Sequence, residues 1–128
     1  MPSWTFNLKP TPASRPRVSR YGTYYGKNYT KFRKVAEVLI PKVVGKKHRP
    51  YDDNTPLDVH LLISVPKPKS GSDKLWPRGD VDNFAKGVLD SCNGIVWKDD
   101  DSITKLTIEK VWGDPKIVLT VTPPKAKR

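Results

Sequence analysis

The stretch LDVHLLISV, residues 57–65, decides the fold. It is rich in Val, Leu and Ile, and polar Asp58 and His60 fall between apolar neighbours, which is the pattern of a half-buried strand. That alternation gives His60 a surface or edge position. Upstream, Thr30 is placed to cap a helix whose apolar stripe is Phe32, Val35, Ala36, Val38, Leu39 and Ile40, and Pro41 to end it. Earlier still, residues 3–8 alternate polar and apolar as a first strand. Downstream, Val81, Phe84, Ala85, Val88 and Leu89 space a second helix that stops at Asn93-Gly94. Residues 95–97, 103–111 and 117–121 follow as strands, parted by polar turns at 98–102 and 112–115. The order β-α-β-α-β-β-β describes a single α+β domain over residues 1–122 with a mostly antiparallel or mixed sheet. Residues 123–128 form a basic tail expected to be disordered.

A chain of 128 residues suits one domain with a modest core. No apolar run approaches the ~20 residues of a membrane-spanning helix, so no membrane partner is expected. MPSWTFNLKP, the first ten residues, has neither the basic nor the apolar region of a signal peptide. The lone Cys92 permits no intrachain disulfide and fits a reducing compartment, so a cytoplasmic location is expected.

Charge is divided unevenly. Residues 1–51 carry twelve Lys and Arg against one acid, Glu37, and residues 52–128 carry twelve of each sign. The whole net charge of +11 therefore sits in the first two-fifths of the chain, a footprint for a polyanion such as nucleic acid. Residues 9–31 hold too many Pro and Gly for a regular element and form a long loop. In it Arg15, Arg17, Arg20 and Lys27 interleave with Tyr21, Tyr24, Tyr25 and Tyr29, combining phosphate pairing with base stacking. A second connection, residues 66–79, adds Lys67, Lys69 and Arg78 as candidate DNA contacts. His48, inside Lys46-Lys47-His48-Arg49, belongs to a solvated basic face, and no His/Cys spacing marks a zinc site.

Against this basic background the acids cluster. RGDVDNFAKGVLD, residues 78–90, puts Asp80 at a helix N-cap and Asp82 in the first turn, and a second cluster follows at Asp99-Asp100-Asp101. Capping, the helix dipole and an Asp82–Lys86 pair at i,i+4 account for the first cluster in structural terms. A second account fits the surroundings better. Asp80, still extended, and Asp82, already helical, can converge on one point, and two repelling carboxylates suit a hard divalent cation. A helix of about a dozen residues followed by a returning strand is expected to bring the triple Asp back beside the helix start. Mg²⁺ held by a few carboxylates with substrate phosphate oxygens supports phosphodiester hydrolysis. There is no EF-hand spacing and no GxxxxGK[ST], so no nucleotide cofactor is expected. Asp114-Pro115-Lys116 sits in a turn, a poor place for the D-x-K of restriction-type nucleases.

GDVDNFAKGVLD, then NGIVWKDD and the strand reaching Glu109-Lys110, resembles the RusA-type Holliday-junction resolvases found in bacteriophages and prophages. The set D-x-D-N-x-x-K, an Asp four residues on and a W-x-D-D turn is specific in combination, and the match spans roughly residues 4–122. The resemblance implies a homodimeric endonuclease, dependent on Mg²⁺ or Mn²⁺, that nicks opposed strands of a four-way DNA junction in DNA recombination and repair. It implies Asp80, Asp82 and Asp100 as metal ligands, Lys86 as the catalytic lysine, and Asn83, Asp90 and Asp99 as supporting residues. The triple Asp leaves Asp99 or Asp101 open in place of Asp100. Two other functions stay open: a nuclease preferring flaps, forks or packaging intermediates, and a structure-selective DNA-binding protein without catalysis.

Overall fold

In the computed structural model, which describes residues 2–13, 17–19, 22–24, 26–71 and 74–123, nine elements follow in chain order. They are β1 (Ser3–Phe6), β2 (Arg17–Ser19), β3 (Gly22–Tyr24), α1 (Lys27–Val44), β4 (Leu57–Val65), α2 (Val81–Cys92), a 3₁₀ turn η1 (Asp100–Ser102), β5 (Ile103–Trp112) and β6 (Lys116–Thr122). The main sheet runs β1-β6-β4-β5, and β2-β3 is a separate antiparallel hairpin. β4 pairs antiparallel with β6 and parallel with β5, so the sheet is mixed. A parallel neighbour requires a crossover, and α2 is that crossover.

The period-two pattern of β4 works as the sequence predicts. Leu57, Val59, Leu61 and Ile63 are buried on the face that carries Ile117, Leu119 and Val121 of β6, while Asp58, His60 and Leu62 are half-buried on the other. His60 binds Glu109 of β5 across that open face at 2.7 Å. The helices cover the buried face with Phe32, Ala36 and Ile40 of α1 and Phe84, Ala85 and Val88 of α2. Each fully buried aliphatic or Phe side chain contributes ~1.5–3 kcal/mol by leaving water.

Several boundaries differ from the sequence prediction. α1 starts at Lys27 behind Gly26, not at Thr30, whose hydroxyl instead donates back to the Gly26 carbonyl. It also runs past Pro41 to Val44, because a proline in the last turn costs one hydrogen bond while Val44 gains burial. The loop predicted over residues 9–31 contains the β2–β3 hairpin and the first turn of α1. Residues 95–97 form no strand. The Cys92 carbonyl accepts from the N–H groups of Ile95 and Val96, which makes a tight turn joined to its surroundings only by isolated bridges. His48 is not a solvated basic residue: it lies edge-on to Trp4 and Tyr51 and donates from Nε2 to the Val96 carbonyl at 3.0 Å. The tail beyond residue 123 lies outside the described residues.

Two glycines make the packing possible. A Cβ at Gly87 would sit 2.9 Å from the Phe32 ring and 3.0 Å from the Tyr29 ring, so α1 and α2 approach here only because the side chain is absent. A Cβ at Gly113 would fall 2.6 Å from Ser64 Oγ, where the chain passes the end of β4 between β5 and β6. Gly87→Ala gains ~1 kcal/mol of helix propensity and loses ~1–3 kcal/mol to overpacking against two buried rings. A net loss of stability is expected, seen as a lower urea midpoint. Burial pushes the Cys92 thiol up to about 12, so the native protein should resist a thiol reagent near neutral pH and react only as it unfolds.

Candidate active site at the ends of helix α2

Helix α2 lies antiparallel to β5 and is fixed to it at both ends. At its start, Lys110 Nζ donates to the Gly79 carbonyl at 2.5 Å. Gly79 has φ +103°, and a Cβ there would meet the Phe84 ring at 2.8 Å, so only glycine turns the chain into the helix this way. Asp80 follows as the N-cap, with its carbonyl accepting from Asn83 and Phe84. Its carboxylate makes no capping bond. Asp82, one residue into the helix, is exposed, and no ion pair or hydrogen bond joins it or Asp80 to Lys86 or any other described side chain. Capping and the i,i+4 pair, the structural roles that the sequence offered for these acids, are therefore not made. Two carboxylates stand exposed at the start of α2, and the Lys86 ammonium is exposed at mid-helix.

Asn83 gives its carbonyl to the Ala13 N–H at 2.8 Å, which roots the chain leading to the β2–β3 hairpin beside this helix start. The hairpin backbone includes Arg17 and Tyr24, while Arg15 and Arg20 lie outside the described residues. Lys27 opens α1, and Lys67, Lys69 and Arg78 are exposed along the β4–α2 connection.

The third predicted ligand lies elsewhere. Asn93, the C-cap of α2, accepts from Trp97 Nε1 at 2.8 Å and from the Asp100 backbone N–H at 3.0 Å through the same Oδ1. Asp100 is thus held at the end of α2, and a 12-residue helix is about 18 Å long. The sequence expectation that the triple Asp folds back to the helix start is wrong for a single chain: the turn returns to the helix end. Among the described residues, no group of three or more His, Cys, Asp or Glu side chains is placed to hold a metal ion.

The far end is a second acidic cluster. Partial burial raises the Asp100 carboxyl above its ordinary range, as do a hydrogen bond shared with Asp99 and the charges of Asp99, Asp90 and Asp101. Asp99 caps η1 by accepting from the Asp101 N–H. Asp90 is bridged at 3.8 Å by Arg33, which also holds Glu37 at 3.3 Å. Lys86 overlooks the resulting hollow, lined by Tyr29, Thr30, Arg33, Glu37 and Asp90.

A family model described as "Endodeoxyribonuclease RusA" matches residues 7–122, most of the chain. The protein belongs to the RusA endodeoxyribonuclease family. A protein of Bacillus subtilis (strain 168) named "Uncharacterized protein YqaN" is 28% identical over 129 residues, covering 88% of this chain and 89% of its own length. Membership in the RusA family agrees with the resemblance carried by D-x-D-N-x-x-K and W-x-D-D. No described helix is long and apolar enough to cross a membrane.

Sequence reasoning missed Asn93, Arg33 and Lys110: Arg33 and Lys110 act through Asp90 and Gly79, distant in sequence, and Asn93 through Trp97 and Asp100 across a turn whose course no periodicity sets. Only Asn93 left a trace, as the presumed helix stop. Asn93→Ala strips the partner from the indole N–H of Trp97, whose side chain is fully buried, at a cost of about 1–3 kcal/mol. Chemical denaturation should register that loss, and the turn carrying Asp100 should exchange its amides faster.

Proposed function

We propose that this RusA-family protein is a metal-dependent endonuclease that cuts branched DNA at four-way junctions. The observation that carries the proposal is that Asp80 and Asp82, at the start of a fixed helix in a basic protein, are spent on neither capping nor pairing among the described residues. Two carboxylates plus substrate oxygens match the way Mg²⁺ is usually held, so the residues present fit the ion that the family implies. Asp80 and Asp82 would hold such an ion, which would supply charge neutralisation of the pair and acidification of a water near the phosphodiester.

The chain's own groups have separate tasks. Asp80 and Asp82 hold the cation, and the Gly79–Lys110 bond fixes where they stand. Lys86, one turn beyond Asp82, stabilises negative charge on the phosphoryl oxygens. Arg78 and the lysines of the β4–α2 connection grip the backbone on either side.

Asp100 enters from a second copy. A two-fold axis across the middle of α2 lays two such helices antiparallel, so the start of each meets the end of the other. Asp100 of one copy then completes the pair of its neighbour, with Asn93 setting its position. The exposed stripe of α2, Asp82 and Lys86, and the outer edge of β5, which pairs only with β4 among the described residues, leave that side available. A two-fold dimer also presents two equivalent centres to a junction of near-two-fold symmetry.

Asp82→Asn should lose cleavage by more than the roughly 10–100-fold typical of outer-shell changes at metal sites, while junction binding is kept or tightened. Junction, flap, fork, duplex and single strand incubated with Mg²⁺ or Mn²⁺ test the substrate, and a protein that leaves all five uncut is not this enzyme. Mixing inactive Asp82→Asn with inactive Asp100→Asn tests the shared site. A heterodimer then holds one intact centre and regains single nicks, whereas a centre built within one chain regains none.

A further inference from the structure

A groove of about 780 Å³ opens beside the helix start, between the β4–α2 connection, the segment after β1 and the outer face of α1. Its walls carry Lys9, Lys31, Lys67, Lys69 and Arg78 and, among the described residues, no acid. Its floor is apolar, with Phe32, Val35, Val65, Phe84 and Trp112 among prolines. That pairing of wall and floor is selective. A duplex arm offers phosphates to the lysines and nothing to the floor, because its base faces are hidden in the stack. The volume lies in the ~300–1,000 Å³ range of sites that enclose small ligands, and a duplex does not enter it.

Trp112 is built as a platform. Its Nε1 donates to the Lys74 carbonyl at 2.9 Å, which fixes the ring, and the Lys67 ammonium lies 5.9 Å from the ring centroid. An incoming base exchanges that exposed cation–π contact for stacking, and Lys67 turns to the adjoining phosphate. Arg78 connects the groove to Asp80, two residues on.

We infer that this groove seats a short unpaired segment of the DNA substrate, its bases on Trp112 and the apolar floor and its phosphates on the five cations. The inference rests on the proposed nuclease function and adds that the substrate is opened next to the cut.

The test uses the full chain in chelator, so that binding is read without cleavage. A dT oligonucleotide should quench tryptophan emission, and a duplex of equal length should bind with little quenching. Trp112→Phe and Trp112→Leu both lose the indole N–H, so the contrast between them isolates the aromatic face. The Phe variant should keep oligonucleotide affinity but lose most of the quenching. The Leu variant should bind about fivefold to 150-fold more weakly. Lys31→Gln combined with Lys69→Gln should lower the salt slope for the oligonucleotide by about 1.4, whatever the Trp112 variants do to folding. Equal affinity of the Phe and Leu variants, equal quenching by duplex, or an unchanged salt slope in the lysine double variant overturns the inference. Those outcomes leave metal-dependent junction cleavage untouched. A protein that quenches as described yet cuts no DNA overturns the nuclease proposal alone.

Discussion

Two bonds bracket α2 and set the geometry of the candidate site: Lys110 of β5 to Gly79, just before the helix, and Asn93, its C-cap, to Asp100 in the turn that opens β5. They set the helix antiparallel to a strand that is itself parallel to β4. They also decide which charged groups stand at each end and how far apart. Gly87 allows α1 to close against the same helix, so α2 is held from the sheet side and from its flank. A helix fixed in this way is a ruler, and its acids cannot drift together within one chain.

The electrostatics follow from that ruler. The net charge of +11 would draw phosphate to any part of the basic half. The two acidic clusters stand where α2 begins and where it ends, and the cation-walled groove abuts only the first. Attraction and repulsion for DNA are therefore adjacent, a few residues apart at Arg78 and Asp80. The second cluster is stabilised differently, through Arg33 on Asp90 and through the Asp101 backbone N–H on the Asp99 carboxylate.

The alternation in LDVHLLISV, the stripe from Val81 to Leu89 and the unusual company of Asp80 with Asp82 made the α+β order and the first acidic pair legible in the sequence. Their signals are local, because period and spacing act within a few residues. What escaped depends on tertiary partners or on turns whose direction no periodicity sets. His48 looks basic and solvated among its neighbours, yet Trp4 and Tyr51 enclose it. The stretch over residues 95–97 is apolar enough for a strand, but carbonyl bonds from the helix end curl it into a turn. Asp100 was assigned by motif to the first pair, and a single asparagine side chain places it a helix length away. Nothing in a one-dimensional pattern distinguishes a turn that returns to the beginning of a helix from one that returns to its end.

On the proposed two-copy centre, the length of α2 has a kinetic meaning. A newly made chain, folded and alone, would carry each half of the machinery, and neither would work. Cutting capacity would rise with the square of concentration while copies are scarce, and dilution would disarm the protein without any inhibitor. For a nuclease so arranged, the spacing of two acidic clusters along a helix is a threshold written into the fold.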